Sequence, residues 1–366
     1  MTTLVTLEQK RSLYREGYLV LRNAVSEELV EAACQRIATA KEGEYIGREK
    51  VMTDLLNSSS ITPILTEAMG TFDPPIACQV GLKDVTVPGE HFNNLGYRDK
   101  DMPYYGAETH VDGNLTISIP QERQEGTPEE IYHRYIASGP KGDLGRSPDV
   151  MGHNMVPLFE DPEMTLGLGS FTAFVFVCLN DQTAEGRGQT ALLRGGHHAL
   201  ERFFRMQRDT NGHLGPEGPG WPRLNHDCPN RCGLVYLPEA VCDAFIDESS
   251  ECTPDGKRWP RPTQILMAAG DACVAVYQIP HSATRNELGT ESRKSIIFRI
   301  RNKKRQPLKL VNGVTDHPDR GQRGEWLEYE EGNNPWERSK HAMCNMWHEW
   351  DGLQDVVAQE RAKEAG

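Results

Sequence analysis

The chain has 366 residues, 37% hydrophobic and 25% charged, which is enough apolar material for a sizeable core and the length of one large domain or two medium ones. Its formal net charge of -13 argues against nucleic acid or an anionic membrane as partner, while leaving room for an anion in a locally basic pocket. No stretch approaches the roughly 18 apolar residues that span a bilayer, the opening has no signal-peptide pattern, and nine scattered cysteines read as reduced thiols of a cytoplasmic protein.

In chain order, Tyr18–Leu21 reads as a short apolar strand closed by a polar turn. Ser26 is a suitable helix N-cap, with Glu27 and Glu28 at the positive helix start. Leu29, Val30, Ala33, Cys34 and Ile37 then recur at helical spacing. A second helix is expected over Thr62–Met69, ended by Pro74 and Pro75. From Ile76 the pattern changes to short apolar runs (IACQVGL, LTISI, FTAFVFVCL, TALLR, LVYL, QILMA, ACVAVYQI, SIIFRIR) separated by Gly, Pro, Asn and Asp. That punctuation belongs to a β-sandwich or barrel rather than a parallel α/β sheet. Two polar insertions, Gln121–Met155 and Arg205–Arg231, are long enough to be lids or binding loops. The expected organisation is one domain over 1–366: strand and helices in 1–75, a β core in 76–302, and a C-terminal extension in 303–366 whose last part, Asp351–Gly366, reads as a charged surface helix.

The chemistry concentrates in a few residues. His110-Val111-Asp112 on an extended strand presents His110 and Asp112 on one face, because side chains alternate. A second histidine must come from a distant strand, and His281, after ACVAVYQIP, is the best placed. Two histidines and one carboxylate leave open positions on a metal, the arrangement of non-haem Fe(II) oxygenases. Downstream, Arg293 opens the strand SRKSIIFRI with Ser295 on the same face and Ile296, Phe298 and Ile300 on the other. An arginine fork with a hydroxyl suits a terminal carboxylate.

With these residues in view, the chain resembles the phytanoyl-CoA dioxygenase-like (PhyH) family of Fe(II)/2-oxoglutarate oxygenases. The resemblance lies in EGYLVLRNAVSEELVEAA, HVD, FVFVCLNDQTAEGRGQTALLRGGHH and AGDACVAVYQIPHSATRN…SRKSIIFRI, in the family's order, from about residue 10 to about 302. It implies a mainly β fold with flanking helices, a double-stranded β-helix (jelly roll, cupin-like) core, with Fe(II) on His110, Asp112 and His281. It also implies the 2-oxoglutarate carboxylate on Arg293 and an aromatic, Phe176, beside the cosubstrate. Where the family often has Ser two residues after the distal histidine, this chain has Ala283, so a hydroxyl contact falls to Thr284 or Ser295. The longer interval to Arg293 leaves Arg285 as a rival carboxylate ligand, and Arg-Gly-Gly precedes His198 where the family has Pro-Gly-Ser.

The reaction so implied consumes 2-oxoglutarate and O₂ and oxidises a small molecule. A third protein ligand, Asp112, leaves no position for a halide and favours hydroxylation, desaturation or oxidative cyclisation. Expected substrate contacts are Gln79, Lys83, His91, Asn94, Tyr104, Tyr105 and Arg285. Two alternatives stand beside this reading. One is a zinc module on His226, Cys228, Cys232, Cys242 and Cys252, whose spacing lacks a second tight pair. The other is a non-catalytic jelly-roll binding protein or a cupin-type metal isomerase.

Overall fold

The computed structural model describes residues 4–86, 109–111, 117–123, 125–127, 130, 171–212, 214, 219–221, 235–252, 258–305, 309–311, 326–329 and 335–366. The chain enters through α1 (Leu7–Glu16), which the composition LEQKRSLYRE conceals because only Leu13 and Tyr14 are buried. Thr6 and Gln9 cap its start reciprocally, and Gly17 ends it at φ 84°, a left-handed conformation. A side chain there would strike His197 Nδ1 at 2.5 Å. Next come β1 (Tyr18–Leu21), α2 (Glu27–Thr39), α3 (Lys50–Asn57) and α4 (Ile61–Met69). The last of these stops at Gly70, φ 104°, before the prolines expected to end it.

The remaining strands are β2 (Gln79–Lys83), β3 (His110–Val111), β4 (Ile117–Pro120), β5 (Ala173–Cys178), β6 (Thr190–Leu192), β7 (Val235–Tyr236), β8 (Glu251–Cys252), β9 (Arg258–Trp259), β10 (Thr263–Gln264), β11 (Ala272–Val276), β12 (His281–Ala283), β13 (Arg293–Ile300), β14 (Lys309–Val311) and β15 (Trp326–Tyr329). Among the described residues, two five-stranded sheets dominate, ordered β1-β11-β5-β13-β2 and β10-β6-β12-β3-β7. Every pairing in both is antiparallel. The chain alternates between them: β2 in the first, β3 in the second, β5 back in the first, then β6, β11, β12 and β13 in turn. The sheets face each other, since Phe174 of the first packs its ring edge-on to His281 of the second at 5.1 Å.

Register assigns the faces of the first sheet. Arg293, Ser295, Ile297 and Arg299 of β13 lie opposite Lys83, Gly81, Gln79 and, on β5, Phe174. The alternate residues Ile296, Phe298, Ile300, Val175 and Val177 are buried in one apolar cluster with Leu13, Met52, Leu55 and Leu56. Full burial of such a side chain contributes about 1.5–3 kcal/mol, which is what holds the helices and the sheet together.

The polar insertion expected from Arg205 begins later. Residues 205–209 continue α5 (Gly196–Asp209), whose Phe203, Phe204 and Gln207 are buried and whose Arg205 Nε donates to Cys344 O at 2.8 Å. α6 (Glu239–Asp243) follows. The C-terminal part is not an appendage. After α7 (Pro335–Cys344) and two short 3₁₀ turns, Trp347 and Trp350 are among the largest fully buried side chains. The final helix, α8 (Gln354–Ala365), reads as a surface tail in sequence, yet Leu353, Val356 and Val357 are buried and Glu360 accepts from Arg15. A buried ion pair anchors this end. Arg305 Nε and Nη2 donate to the Glu349 carboxylate at 2.8 and 2.7 Å, and Thr172 Oγ1 donates to it at 2.6 Å. Among the described residues, no helix is long and apolar enough to cross a membrane.

Candidate metal and anion site

The two histidines singled out in the sequence, 171 residues apart in the chain, meet as a directly opposed cross-strand pair, His110 on β3 and His281 on β12. Opposed residues in an antiparallel pair share a face and hold their Cβ atoms about 4.5–5.5 Å apart. Here the ring centroids are 4.5 Å apart, and the side chains are almost fully buried, at 3% and 8% exposure. His281 Nδ1 lies 3.2 Å from Ile279 O. A carbonyl only accepts, so this bond puts the ring proton on Nδ1 and the lone pair on Nε2, the form that binds metal. Asp112, two residues beyond His110, lies outside the described residues.

Arg293 approaches from the facing sheet. It is 7% exposed, and its Nη1 donates to Thr190 Oγ1 on β6 at 3.5 Å. Thr190 lies opposite Ala283, and Leu192 opposite His281, so the guanidinium contacts the second sheet two residues along from the histidine pair. Its Nε is buried without a hydrogen-bond partner, and among the described residues no carboxylate forms an ion pair with it. Burial pushes Arg293 from 12.5 down to about 10. The thiol of Cys178 offers no counter-charge, because burial pushes it up to about 12. An unpaired buried charge is costly, and a guanidinium in this state has the chemistry to hold an anion.

Around it stand the other residues read from the sequence. Lys83, expected among substrate contacts, lies directly opposite Arg293 on β2. Ser295 is 2% exposed, shares the Arg293 face and accepts from Gln182 Nε2 at 3.3 Å. Thr284 is fully buried, and its hydroxyl donates to Gln189 O at 2.9 Å, which commits it to the backbone. Arg285, the rival carboxylate ligand, already faces Glu287 at 2.9 Å. Phe176 is 3% exposed and stacks on Phe174, centroids 5.3 Å apart. Gln79 accepts from Arg299 Nη1 at 3.0 Å. His91, Asn94, Tyr104 and Tyr105 lie outside the described residues, as do His226, Cys228 and Cys232 of the zinc alternative. Among the described residues, no group of three His, Cys, Asp or Glu is placed to hold a metal ion; the expected triad needs Asp112.

Arg299 went unremarked in the sequence. It follows Arg293 by six residues on one strand, so alternation puts it on the same face. Its guanidinium carbon lies 5.1 Å from the Phe174 ring centre and 5.6 Å from that of Phe171. Phe174 in turn touches His281, so a second cation stands one aromatic ring away from the histidine pair.

No family model matches the sequence, and no curated protein matches it. Among solved structures, the chain is similar to HygX from Streptomyces hygroscopicus, crystallised with nickel and 2-oxoglutarate, at TM-score 0.39 and 12% identity over 80% of this chain and 85% of that one. It is also similar to SnoK, a non-haem alpha-ketoglutarate-dependent carbocyclase from nogalamycin biosynthesis, at TM-score 0.35 and 14% identity over 90% and 99% of the two chains.

Proposed function

We propose that this chain is a non-haem Fe(II)- and 2-oxoglutarate-dependent oxygenase of the phytanoyl-CoA dioxygenase-like kind, with a double-stranded β-helix core, acting on a small molecule. The observation that carries this reading is the enclosure, between one pair of sheets, of a histidine pair, with His281 in the metal-binding tautomer, and a buried arginine without a counter-carboxylate among the described residues. The donor set fits the metal. Two imidazoles from opposed strands and the carboxylate of Asp112 would make a two-histidine, one-carboxylate face.

Dimensions support the cosubstrate. Four C–C bonds of about 1.5 Å set the end carbons of an extended five-carbon diacid about 5 Å apart. The two-residue offset between His281 and Thr190, where Arg293 touches the facing sheet, is roughly 6.8 Å of strand. A diacid chelating a metal at the histidines therefore reaches the guanidinium with its far carboxylate. Arg293 supplies charge-assisted, directional bonds to that carboxylate and is favoured over Arg285, which has Glu287. When bound, Fe(II) with 2-oxoglutarate and O₂ supplies the oxidising power, the cosubstrate leaving as succinate and CO₂. The chain orients the diacid through Arg293, fixes the imidazole tautomer through Ile279, and keeps the chamber dry with Phe174, Phe176 and Ile297. Arg299, packed on Phe174, and Gln79, bonded to it, are the residues assigned to the substrate. Hydroxylation, desaturation and oxidative cyclisation are the reactions this arrangement suits.

The test is a small-molecule library incubated with Fe(II)-loaded protein, 2-oxoglutarate and ascorbate in air, scored by succinate. Succinate above background with some compounds, lost in His281→Ala, is the expected result. No succinate with any compound would return the chain to the binding-protein or metal-isomerase readings.

A further inference from the structure

The turn joining β11 to β12 carries the carbonyl that sets the His281 ring. Its residues Tyr277, Gln278 and Ile279 are all buried. A buried turn has no water for its polar groups, so their partners must come from the fold. Tyr277 N donates to Thr172 O at 3.0 Å, and Ile279 N donates to Val276 O at 3.2 Å. The Gln278 side chain reaches the other way, out of the two sheets. Its Nε2 donates to Ala342 O at 2.9 Å and to Met343 O at 2.8 Å, at the C-terminal end of α7.

A helix leaves its last four carbonyls without partners of its own. At the end of α7, Asn345 N donates to His341 O at 3.0 Å, Gln278 serves the next two carbonyls, and Arg205 Nε donates to Cys344 O at 2.8 Å. Gln278 thus satisfies half of the set. Its amide nitrogen must be the atom facing α7, because both neighbours there are carbonyls, which only accept. The other amide atom bears the cost: Gln278 Oε1 is buried without a hydrogen-bond partner. An unsatisfied buried acceptor is unfavourable, so the side chain is placed for the two bonds its donor makes.

Resting on the oxygenase reading above, we infer that Gln278 is a positioning residue for the metal ligand His281, and that the C-terminal segment acts on the metal site through it. The path is short. The α7 carbonyls fix the Gln278 side chain, and Gln278 fixes the backbone of its neighbour Ile279. Ile279 O then accepts from His281 Nδ1 at 3.2 Å, which keeps the ring lone pair on Nε2. The same segment grips the turn a second time. Glu349 accepts from Thr172 Oγ1 at 2.6 Å, and Thr172 O is the acceptor for Tyr277 N. Residues 335–350, set apart in sequence from the β core, therefore support the turn from which His281 is presented.

Two measurements on Gln278→Met, which keeps the volume and removes both bonds to α7, test this. Long-range ¹H–¹⁵N spectra of the metal-free protein, labelled at histidine, report which ring nitrogen of His281 carries the proton, with His281→Ala identifying the signal. Anaerobic Fe(II) titration against a coloured chelator gives the iron affinity. Native His281 should show one form, protonated on Nδ1. In Gln278→Met it should become a mixture of both tautomers, and Fe(II) affinity should fall about tenfold, as when an outer partner of a ligating histidine is lost. Gln278→Asn, whose amide stops one methylene short of α7, should move both readings the same way by less, and it serves if the methionine variant does not fold. Arg205→Met is the control. It uncaps Cys344 O at the same helix end without touching the turn, so it should lower the melting temperature and leave the His281 tautomer and the iron affinity native. A single Nδ1-protonated form in both Gln278 variants, native iron affinity in both, or an equal loss of iron in Arg205→Met overturns the proposal and leaves the oxygenase reading standing. If the native protein binds no Fe(II), the oxygenase reading has failed instead, and the tautomer in the metal-free protein still decides whether Gln278 positions His281.

Discussion

Replacing Arg293 by methionine separates two roles that a surface arginine would not combine. In the ligand-free protein, the guanidinium is buried and its pKa is depressed from 12.5 to about 10 by that burial. At about 1.4 kcal/mol for each tenfold change in the ionisation constant, the charge costs the fold about 3 kcal/mol. The sign follows from the direction: a cation whose folded pKa lies below its unfolded value destabilises the fold at every pH below about 10. Exchanging buried charge for apolar volume is often neutral or stabilising by about 1–4 kcal/mol. Arg293→Met should therefore raise the melting temperature of the ligand-free protein by a few degrees. It should also weaken 2-oxoglutarate by about ten- to a hundredfold, the worth of a lost charge-assisted bond of about 1.5–3 kcal/mol. Scanning calorimetry with and without 2-oxoglutarate reads both. At a hundred times its Kd the cosubstrate should stabilise the native protein by about 2.7 kcal/mol, and the same concentration should stabilise the variant by only about 0.4–1.4 kcal/mol. A variant that melts well below the native protein and still gains the full shift from 2-oxoglutarate would show that Arg293 is structural and that the anion binds elsewhere.

Further outcomes follow from other parts of the molecule. Arg305→Ala and Glu349→Ala should each cost about 3–5 kcal/mol, since each strands a buried charge; urea unfolding measures this. Burial pushes the Glu349 carboxyl up, but Arg305 and Thr172 outweigh it and hold it below its ordinary 4.5, so this stabilisation is complete above about pH 4.5 and fades as acid protonates the folded carboxylate. Arg299→Ala should raise the KM of a substrate found in the succinate screen by about tenfold while leaving the 2-oxoglutarate affinity unchanged; equal losses in both would move Arg299 out of the substrate wall. Hydrogen exchange should show residues 121–155 and 210–231 gaining protection when 2-oxoglutarate and substrate bind together, as closing loops do, and equal exchange in both states would make them surface decoration.

Much of the core was legible because strands advertise themselves by alternation. Tyr18–Leu21 matches its strand to the residue, and the alternation of Arg293 and Ser295 against Ile296, Phe298 and Ile300 is the alternation of the sheet's two faces. The same rule extended by two steps would have marked Arg299. Other features were invisible because they depend on long-range pairing. Nothing local in QVGLK announces that Lys83 will stand opposite an arginine 210 residues later. α1 was hidden by its polarity, and the last helix read as a tail because its partners, such as Arg15, lie at the other end of the chain. The histidine pair could be named from the sequence, whereas the tautomer of His281 depends on where the Ile279 carbonyl points.

The central claim is tested most directly by adding 2-oxoglutarate without oxygen to protein loaded with Fe(II) and recording the visible spectrum. Chelation of Fe(II) by the 2-oxoacid produces a charge-transfer band. One equivalent of iron should bind, and the band should appear in the native protein, saturate with 2-oxoglutarate, and vanish in His110→Ala and His281→Ala, whose iron affinity should be lost. Iron bound equally well by both variants, or a native protein that binds iron and shows no band at any 2-oxoglutarate concentration, would contradict the account.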